Sequence, residues 1–366
     1  MIPYCDKIKY DIFAASDGDF SEMVDELLSK VANLAYPLRL TFFGAPASNE
    51  QYVERRAILA DKVAKTYGDK EPVLCYVSQP SLDSKLVLEA HHYDKSDDEA
   101  IHYNIYDGFP YAVLENDDMR MLFAGGFHGD LINENIRRQS DDIFSMIDDL
   151  MRKEGFPIEN IVRQWNYIER ITDFDGSDQH YQMFNNSRSE FYAKADWRLG
   201  YPAATGIGAN LGGVVIDVDA VVLKNPSCAI VPIDNKLQVA AHAYSDTVLE
   251  RADKTKSTPK FERAKSINFA NGKKIIYVSG TAAIRGEESL TGVGIDKQTR
   301  VTMENIDQLI GDADIKMLRV YLKNPESLDD VKAILAEIVP DIPISYMHAD
   351  VCRDELLIEI EGIATT

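Results

Sequence analysis

Two stretches of the chain repeat one pattern. The first runs from the apolar segment Met121-Leu122-Phe123-Ala124-Gly125-Gly126, through a helix from about Gln139 to Lys153, into Ile161-Val162-Arg163-Gln164-Trp165-Asn166-Tyr167-Ile168. The second runs from Ile276-Tyr277-Val278-Ser279-Gly280-Thr281, through a helix from about Gln298 to Ile310, into Ile315-Lys316-Met317-Leu318-Arg319-Val320-Tyr321-Leu322. Each has an apolar strand ending at glycine, a variable loop, a helix opening near a glutamine, and a strand bearing an aromatic residue. Gln139 lies 29 positions before Ile168 and Gln298 lies 24 before Leu322, so the first copy has the longer helix or loop. The match is one of pattern more than identity, so two ordinary α+β segments also fit it. A strand–helix–strand unit used twice predicts mixed sheets covered by helices. The 366 residues suffice for two domains of about 100–200 residues each. Residues 37–93 also read as strand, helix, strand, with a helix over Glu50 to Tyr67. Between the copies, Tyr201 to Asn210 reads as a Gly-rich turn before a β run over residues 213–223. Phosphate loops need a helix directly after their glycines, so nucleotide binding is rejected there.

The bulk properties exclude several classes. No run of about 18 apolar residues occurs, so no membrane span is expected. The first residues lack the basic-then-apolar order of a signal peptide. Cys5, Cys75, Cys228 and Cys352 are scattered without metal-like spacing, which reads as reduced thiols in a cytoplasmic protein. The seven histidines show no metal spacing either. His128 occupies a loop matching the site loop of the second copy and reads as a leftover of duplication. A net charge of −21 argues against nucleic-acid binding, yet allows a small anion held by a local group of arginines. Residues 250–260, charged and rich in Ser and Thr, read as a flexible surface loop.

The closing strand is Leu356-Leu357-Ile358-Glu359-Ile360-Glu361-Gly362. Side chains alternate along a strand, so Glu359 and Glu361 share one face. That face is either solvated or useful. A carboxyl in a partly dry site has a raised pKa and can deliver a proton near neutral pH.

The second copy resembles the RidA/YjgF (endoribonuclease L-PSP) family in Val278-Ser279-Gly280-Thr281, Gln298, Thr302-Met303-Glu304-Asn305-Ile306 and Ile358-Glu359-Ile360-Glu361-Gly362. Further motifs follow in order. They are Arg163-Gln164-Trp165-Asn166-Tyr167-Ile168, Tyr181 with Phe184-Asn185 and Arg188, Pro202 to Gly208, Gln238-Val239, Phe261-Glu262-Arg263-Ala264 and Ser279 to Ile284. Together these resemble the chorismatases, or FkbO/Hyg5-like family, well over about 160–362 and weakly before. The resemblance implies an α+β fold of two RidA/YjgF-like (chorismate mutase-like) domains, mixed sheets with helices on one face. The expected division is 1–180, a diverged N-terminal domain, and 181–366, a C-terminal domain carrying most of the site. It implies release of pyruvate from chorismate without metal or organic cofactor, and Glu359 as the general acid. Trimeric RidA relatives imply a possible homo-oligomer.

Chemically, an enol ether is cleaved by protonating its terminal methylene carbon, a slow step that needs a positioned acid in a dry pocket. Glu359 fits if its face is buried, and Glu361 is then a surface residue or a partner behind it. Two substrate carboxylates need cationic clamps, for which Arg163, Arg188, Arg263 and Arg353 are the candidates. Arg285 could also reach the site. Tyr181 and Tyr244 could donate hydrogen bonds, and Ser279 and Thr281 offer hydroxyls. Three departures from the family pattern bear on the substrate. Glu287 stands where a histidine is expected, which should disfavour a dianion. Tyr244-Ser245-Asp246 replaces a Tyr-Gly-Pro sequence. Asn235-Lys236-Leu237-Gln238-Val239 replaces Asn-Pro-x-Gln-Val. The alternatives are a RidA-type enamine/imine deaminase and a non-catalytic binding protein of the same fold. Spacing is against the deaminase, because Arg353 lies only six residues before Glu359.

Overall fold

The computed structural model describes residues 3–34, 36–239, 259–351, 353 and 355–366. After a short helix α1 (Tyr4–Lys7), the chain builds one unit three times. Unit one is β1 (Ile8–Ala14), α2 (Phe20–Val31), β2 (Pro37–Gly44), α3 (Asn49–Tyr67), β3 (Val73–Val77) and β4 (Leu86–Tyr93). Its sheet order is β1-β4-β2-β3, with β4 antiparallel to both neighbours and β3 parallel to β2.

Unit two adds two strands in front, β5 (Ala100–Tyr106) and β6 (Phe109–Glu115). It continues as β7 (Met119–His128), α4 (Ile136–Glu154), β8 (Ile161–Glu169), a short hairpin β9 (Phe174–Asp175) and β10 (Asp178–Gln179), α5 (His180–Tyr192), β11 (Ala203–Ala209) and β12 (Val214–Leu223). The order β11-β8-β12-β7-β6-β5 repeats the arrangement of unit one, with β12 antiparallel between β7 and β8.

Unit three is β13 (Ala229–Ile233), β14 (Ala264–Asn268), β15 (Lys274–Ala282), a hairpin β16 (Ile284–Arg285) and β17 (Glu288–Ser289), α6 (Ile295–Ile310), β18 (Asp314–Leu322), α7 (Leu328–Ile338), β19 (Ile344–His348) and β20 (Ile358–Thr365). Its order, β13-β14-β15-β20-β18-β19, is that of unit two. The α+β class with helices on one face of each mixed sheet is as expected. The strand–helix–strand reading of 37–93 is a third copy of the same unit, which the sequence pattern did not connect to the other two. Position 180 lies within the span of the second sheet, Ala100 to Leu223.

Local chemistry sets the helix starts. Asn135 accepts from the Arg138 amide, so α4 begins three residues before Gln139. α6 likewise opens before Gln298. Both glutamines then do the same task one turn in. Gln139 Oε1 accepts from the Val214 amide at 3.0 Å, where β12 begins, and Gln298 Oε1 accepts from Leu357 at 2.8 Å, where β20 begins. The expected Gly-rich turn over 201–210 is instead largely strand β11. Its glycines admit neighbours: a Cβ on Gly206 would sit 3.3 Å from the Tyr181 ring, and one on Gly208 2.9 Å from the Asp350 carbonyl oxygen.

Each helix pair covers one face of its own sheet through a separate apolar core. The uncovered faces meet at the centre. There, two apolar clusters draw on strands of all three sheets: one holds Leu38, Val162 and Ile363, the other Phe43, Trp165 and Tyr321. The same strand faces also carry charge. Arg39, Arg163 and Arg319 and the carboxylates Glu89, Asp217, Asp219, Glu359 and Glu361 are all at most 6 % exposed. Among the described residues, no helix is long and apolar enough to cross a membrane.

Candidate active site

The buried charges follow from the repeat. In each unit an arginine sits on the second strand of the β-α-β unit: Arg39 on β2, Arg163 on β8, Arg319 on β18. Each faces the last strand, opposite His91, Asp219 and Glu361 respectively. Two residues along the same face, β4, β12 and β20 carry Glu89, Asp217 and Glu359. The three carboxylic acids are therefore equivalent by position.

They are not equivalent by environment. The Arg39 guanidinium of unit one holds Asp217 of unit two at 2.5 Å and Asp219 at 2.6 Å. Arg319 of unit three grips Glu89 of unit one through Nε and Nη2, and Ser345 adds a hydroxyl. At the third junction, between units two and three, the corresponding arginine does something else. Arg163 donates through Nη2 to Glu361 and to Thr205 Oγ1 at 2.7 Å. Glu359 accepts no hydrogen bond from the described residues. The Arg163 Nη1 is buried and also has no partner among them.

Glu361 is an ion-pair hub. It accepts from Arg163, Thr205 Oγ1, Trp165 Nε1 (3.1 Å), Arg319 Nη1 (2.7 Å) and Tyr321 Oη (3.2 Å). Arg163 and Arg319 hold its carboxyl below the ordinary value despite burial. Glu359 goes the other way. Burial, then the charge of Glu361, push it up to about 8, and nearby Arg263 and Arg163 only partly offset this. At pH 7 Glu359 is a protonated acid beside two cations. Two carboxyls with opposed environments on one strand face are the arrangement from which acid and charge-holding roles are read.

Gly280 makes room for the acid. A Cβ there would fall on the Glu359 carboxyl, with the carboxyl carbon at 2.9 Å and Thr205 Cγ2 at 3.2 Å. Its amide donates to Thr205 Oγ1 at 3.0 Å, beside a bulge in the β15–β20 pairing. Unit two repeats this approach: a Cβ on Gly125 would meet Asp217.

The other expected site residues are distributed as follows. Arg263 is buried, donates to the Val239 carbonyl at 3.0 Å and lies near Glu359. Arg188 is 2 % exposed on α5, with Nη2 on Asn185 Oδ1 at 2.5 Å, Nε unpartnered and no carboxylate partner among the described residues. Lys260 stands near it, its ammonium lowered by burial and by Arg188. Tyr181 lies against Gly206 of β11. Thr281 pairs with Ile360, a residue of the helix-side core, and donates to the Ser279 carbonyl, so the ladder puts its hydroxyl on the face away from Glu359. Arg353 donates to the Glu287 carbonyl at 3.1 Å and to Ser289 Oγ at 3.0 Å, bracing the β16–β17 hairpin. Glu287 is at the tip of that hairpin, half-buried. Arg285 is tied to Asn305 and Glu304. Tyr244 and most of the 250–260 loop lie outside the described residues. Sequence reasoning missed Thr205 as the hydroxyl joining Gly280 to Glu361, and Arg319 and Glu89 altogether. The available signal was an arginine at matching places in three otherwise apolar strands.

Comparison with known proteins places this architecture. Residues 108–220 match the family described as chorismatase FkbO/Hyg5-like, N-terminal, and residues 265–366 match endoribonuclease L-PSP. A chorismatase of Streptomyces rapamycinicus is 30% identical over 242 residues, 60% of this chain and 68% of that protein. The chain belongs to the chorismatase family. Another chorismatase relative, the 3-hydroxybenzoate synthase of Streptomyces hygroscopicus, is 30% identical over 232 residues, 57% of this chain. The chain spans about 65% of that protein's length, and the same share of a second S. hygroscopicus relative, a chorismatase, at 28% identity. The fold extends further than the sequence match. A chorismatase crystal structure superposes over 98% of both chains, with a TM-score of 0.71 at 20% identity. The chorismatase match to residues 108–220 begins after unit one has closed, whereas the superposition covers 98% of the chain.

Proposed function

We propose that this chorismatase-family chain is a metal-independent enzyme that cleaves the enolpyruvyl ether of chorismate, or of a close analogue, to release pyruvate. The observation that carries the reading is Glu359: a carboxyl protonated at neutral pH and accepting no hydrogen bond from the described residues, with Arg163 and Arg263 beside it. Glu359 gives its proton to the terminal methylene carbon. The ether carbon becomes an oxocarbenium ion, and the carboxylate left behind stabilises it. Water adds to that carbon and loses a proton, regenerating the acid. The hemiketal then collapses to pyruvate and a dihydroxycyclohexadiene carboxylate. Attack by a neighbouring ring hydroxyl in place of water leads instead towards a hydroxybenzoate.

Arg163, with Nη1 open, and Arg263 are the clamp for the enolpyruvyl carboxylate, close to the acid. Arg188 and Lys260 are the clamp for the ring carboxylate. A buried guanidinium with no carboxylate partner among the described residues is suited to hold an anion. Tyr181, on α5, lies against Gly206 of β11. All these groups come from one chain, so the site needs no second copy. Incubating purified protein with chorismate, isochorismate and prephenate, with pyruvate read by coupled lactate dehydrogenase, tests the reading. Pyruvate from chorismate supports it. Ammonia release from 2-aminoacrylate without pyruvate from chorismate would turn the assignment to the deaminase alternative.

A further inference from the structure

We propose that Glu89, on a strand of unit one outside both family-matched segments, is a positioning residue for the acid: through Arg319 it fixes how much negative charge Glu361 presents to Glu359. This rests on the proposed role of Glu359.

The geometry is a fork. Arg319 donates Nε to Glu89 Oε1 at 3.0 Å and Oε2 at 3.2 Å, and places Nη2 on Oε2 as well. The same guanidinium donates Nη1 to Glu361 Oε1 at 2.7 Å and to the Tyr167 hydroxyl at 2.6 Å. Arginine, guanidinium and both carboxylates are buried. One cation therefore serves two anions from different units. With Arg163 also on Glu361, two arginines balance two carboxylates. Glu359 faces a neutral cluster and keeps its proton.

Remove the charge on Glu89 and the balance breaks. Arg319 then gives its whole charge to Glu361, the cluster becomes net positive, and Glu359 ionises at lower pH. In this interior little water screens the effect. Between pH 7 and pH 8 the titratable neighbours Tyr167, Tyr321, Cys75, His91 and Asp219 each keep one charge state. Arg263 and Arg163 face Glu359. The Tyr167 and Tyr321 phenols and the Cys75 thiol are pushed well up by burial and stay neutral. His91, next to Glu89 on the same strand face, is held well below its ordinary value by burial and by Arg39 and Arg319, so it too is neutral. Asp219, raised to about 6 by burial, is ionised above pH 7. Glu89 is thus a group of unit one that binds the hub arginine Arg319 and lies outside the proposed substrate clamps.

The test is a titration of the Glu359 carboxyl by infrared difference spectroscopy, its band identified by loss in E359Q. It is paired with the pH profile of pyruvate release, in wild type, E89Q and R319K. Folding is checked by circular dichroism. In wild type the midpoint lies near pH 8. In E89Q it falls by about one pH unit, the scale of one interior unit charge at an effective dielectric of about 20. Pyruvate release at pH 8 then drops about fivefold and recovers towards wild type at pH 6, which a merely structural defect would not do. A folded E89Q that titrates with wild type overturns the proposal. Should E89Q not fold, R319K decides: an ammonium cannot span both carboxylates, so the midpoint must move, and an unmoved midpoint overturns the proposal. The infrared titration needs no substrate. Absence of pyruvate from wild type therefore fails the assigned reaction, while the band shift still decides the coupling.

Discussion

Gly280 and Glu359 occupy one space: the carboxyl of the glutamate sits where a side chain on the glycine would be. A Cβ at 280 would lie 2.9 Å from the Glu359 carboxyl carbon. The bulge in the β15–β20 pairing and the Gly280 amide bond to Thr205 hold this approach in place. Glu361, two residues along, is tied to Arg163, Arg319, Thr205, Trp165 and Tyr321. One strand face thus carries a fixed anion and a free acid.

Gly280→Ala should displace the acid while leaving the fold. Pyruvate release should fall at least about tenfold, and stability by about 1–3 kcal/mol as for overpacking of a core. Steady-state kinetics and urea unfolding check it. Unchanged kinetics would mean the acid is not held by this contact.

The pH dependence follows from the protonated form being active. Glu359 is protonated below about 8, so kcat/KM should fall about tenfold per pH unit above that point. The linkage has a definite sign. The unfolded glutamate ionises near its model value of 4.5, whereas the folded one keeps its proton to about 8. Unfolding therefore releases a proton between these values, and the stability of wild type relative to E359Q falls as pH rises through that window. Thermal melts of the two chains at pH 5 and pH 8 should diverge, with E359Q the more favoured at pH 8.

Arg188→Gln separates binding from folding. Among the described residues no carboxylate is left unpaired by the change, so the melting temperature should hold or rise. The KM for chorismate should increase about 10–100-fold, the range of a lost charge-assisted bond. A large loss of stability at unchanged KM would make Arg188 a structural residue.

Arg39→Met probes the junction closed by ion pairs. It strands Asp217 and Asp219 in the interior, which should cost about 3–5 kcal/mol. Protonation relieves the strain. The deficit, measured by urea unfolding, should shrink at pH 5, because Asp219 titrates at about 6 even with its arginine present.

How much of this was legible beforehand depended on the kind of signal. The two long copies were visible because their strands end at glycines and their helices open near Gln139 and Gln298. The reason is now plain: each glutamine bonds the first residues of the unit's last strand. Unit one was hidden because it lacks the two leading strands and such a glutamine. Strand alternation made legible that Glu359 and Glu361 share one face, and the family motif pointed to Glu359. Its difference from Glu89 and Asp217 was not, since it depends on which arginine crosses which junction, a long-range property. Arg353 lies six residues before the acid in sequence, and Thr281 directly follows Gly280, which touches it. A one-residue change of strand face and a hairpin contact set them apart from it in space. Glu287 is likewise part of that hairpin, so its charge bears on the hairpin Arg353 braces.

The most direct measurement is pyruvate release from chorismate by wild type and E359Q under identical conditions at pH 7, with folding of both verified by circular dichroism. An amide keeps the shape of the protonated carboxyl but has no proton to give. The expected result is turnover by wild type and a loss of about 100-fold or more in E359Q, the scale of removing a general acid. Equal pyruvate release by the two chains would contradict the assignment of Glu359 as the acid.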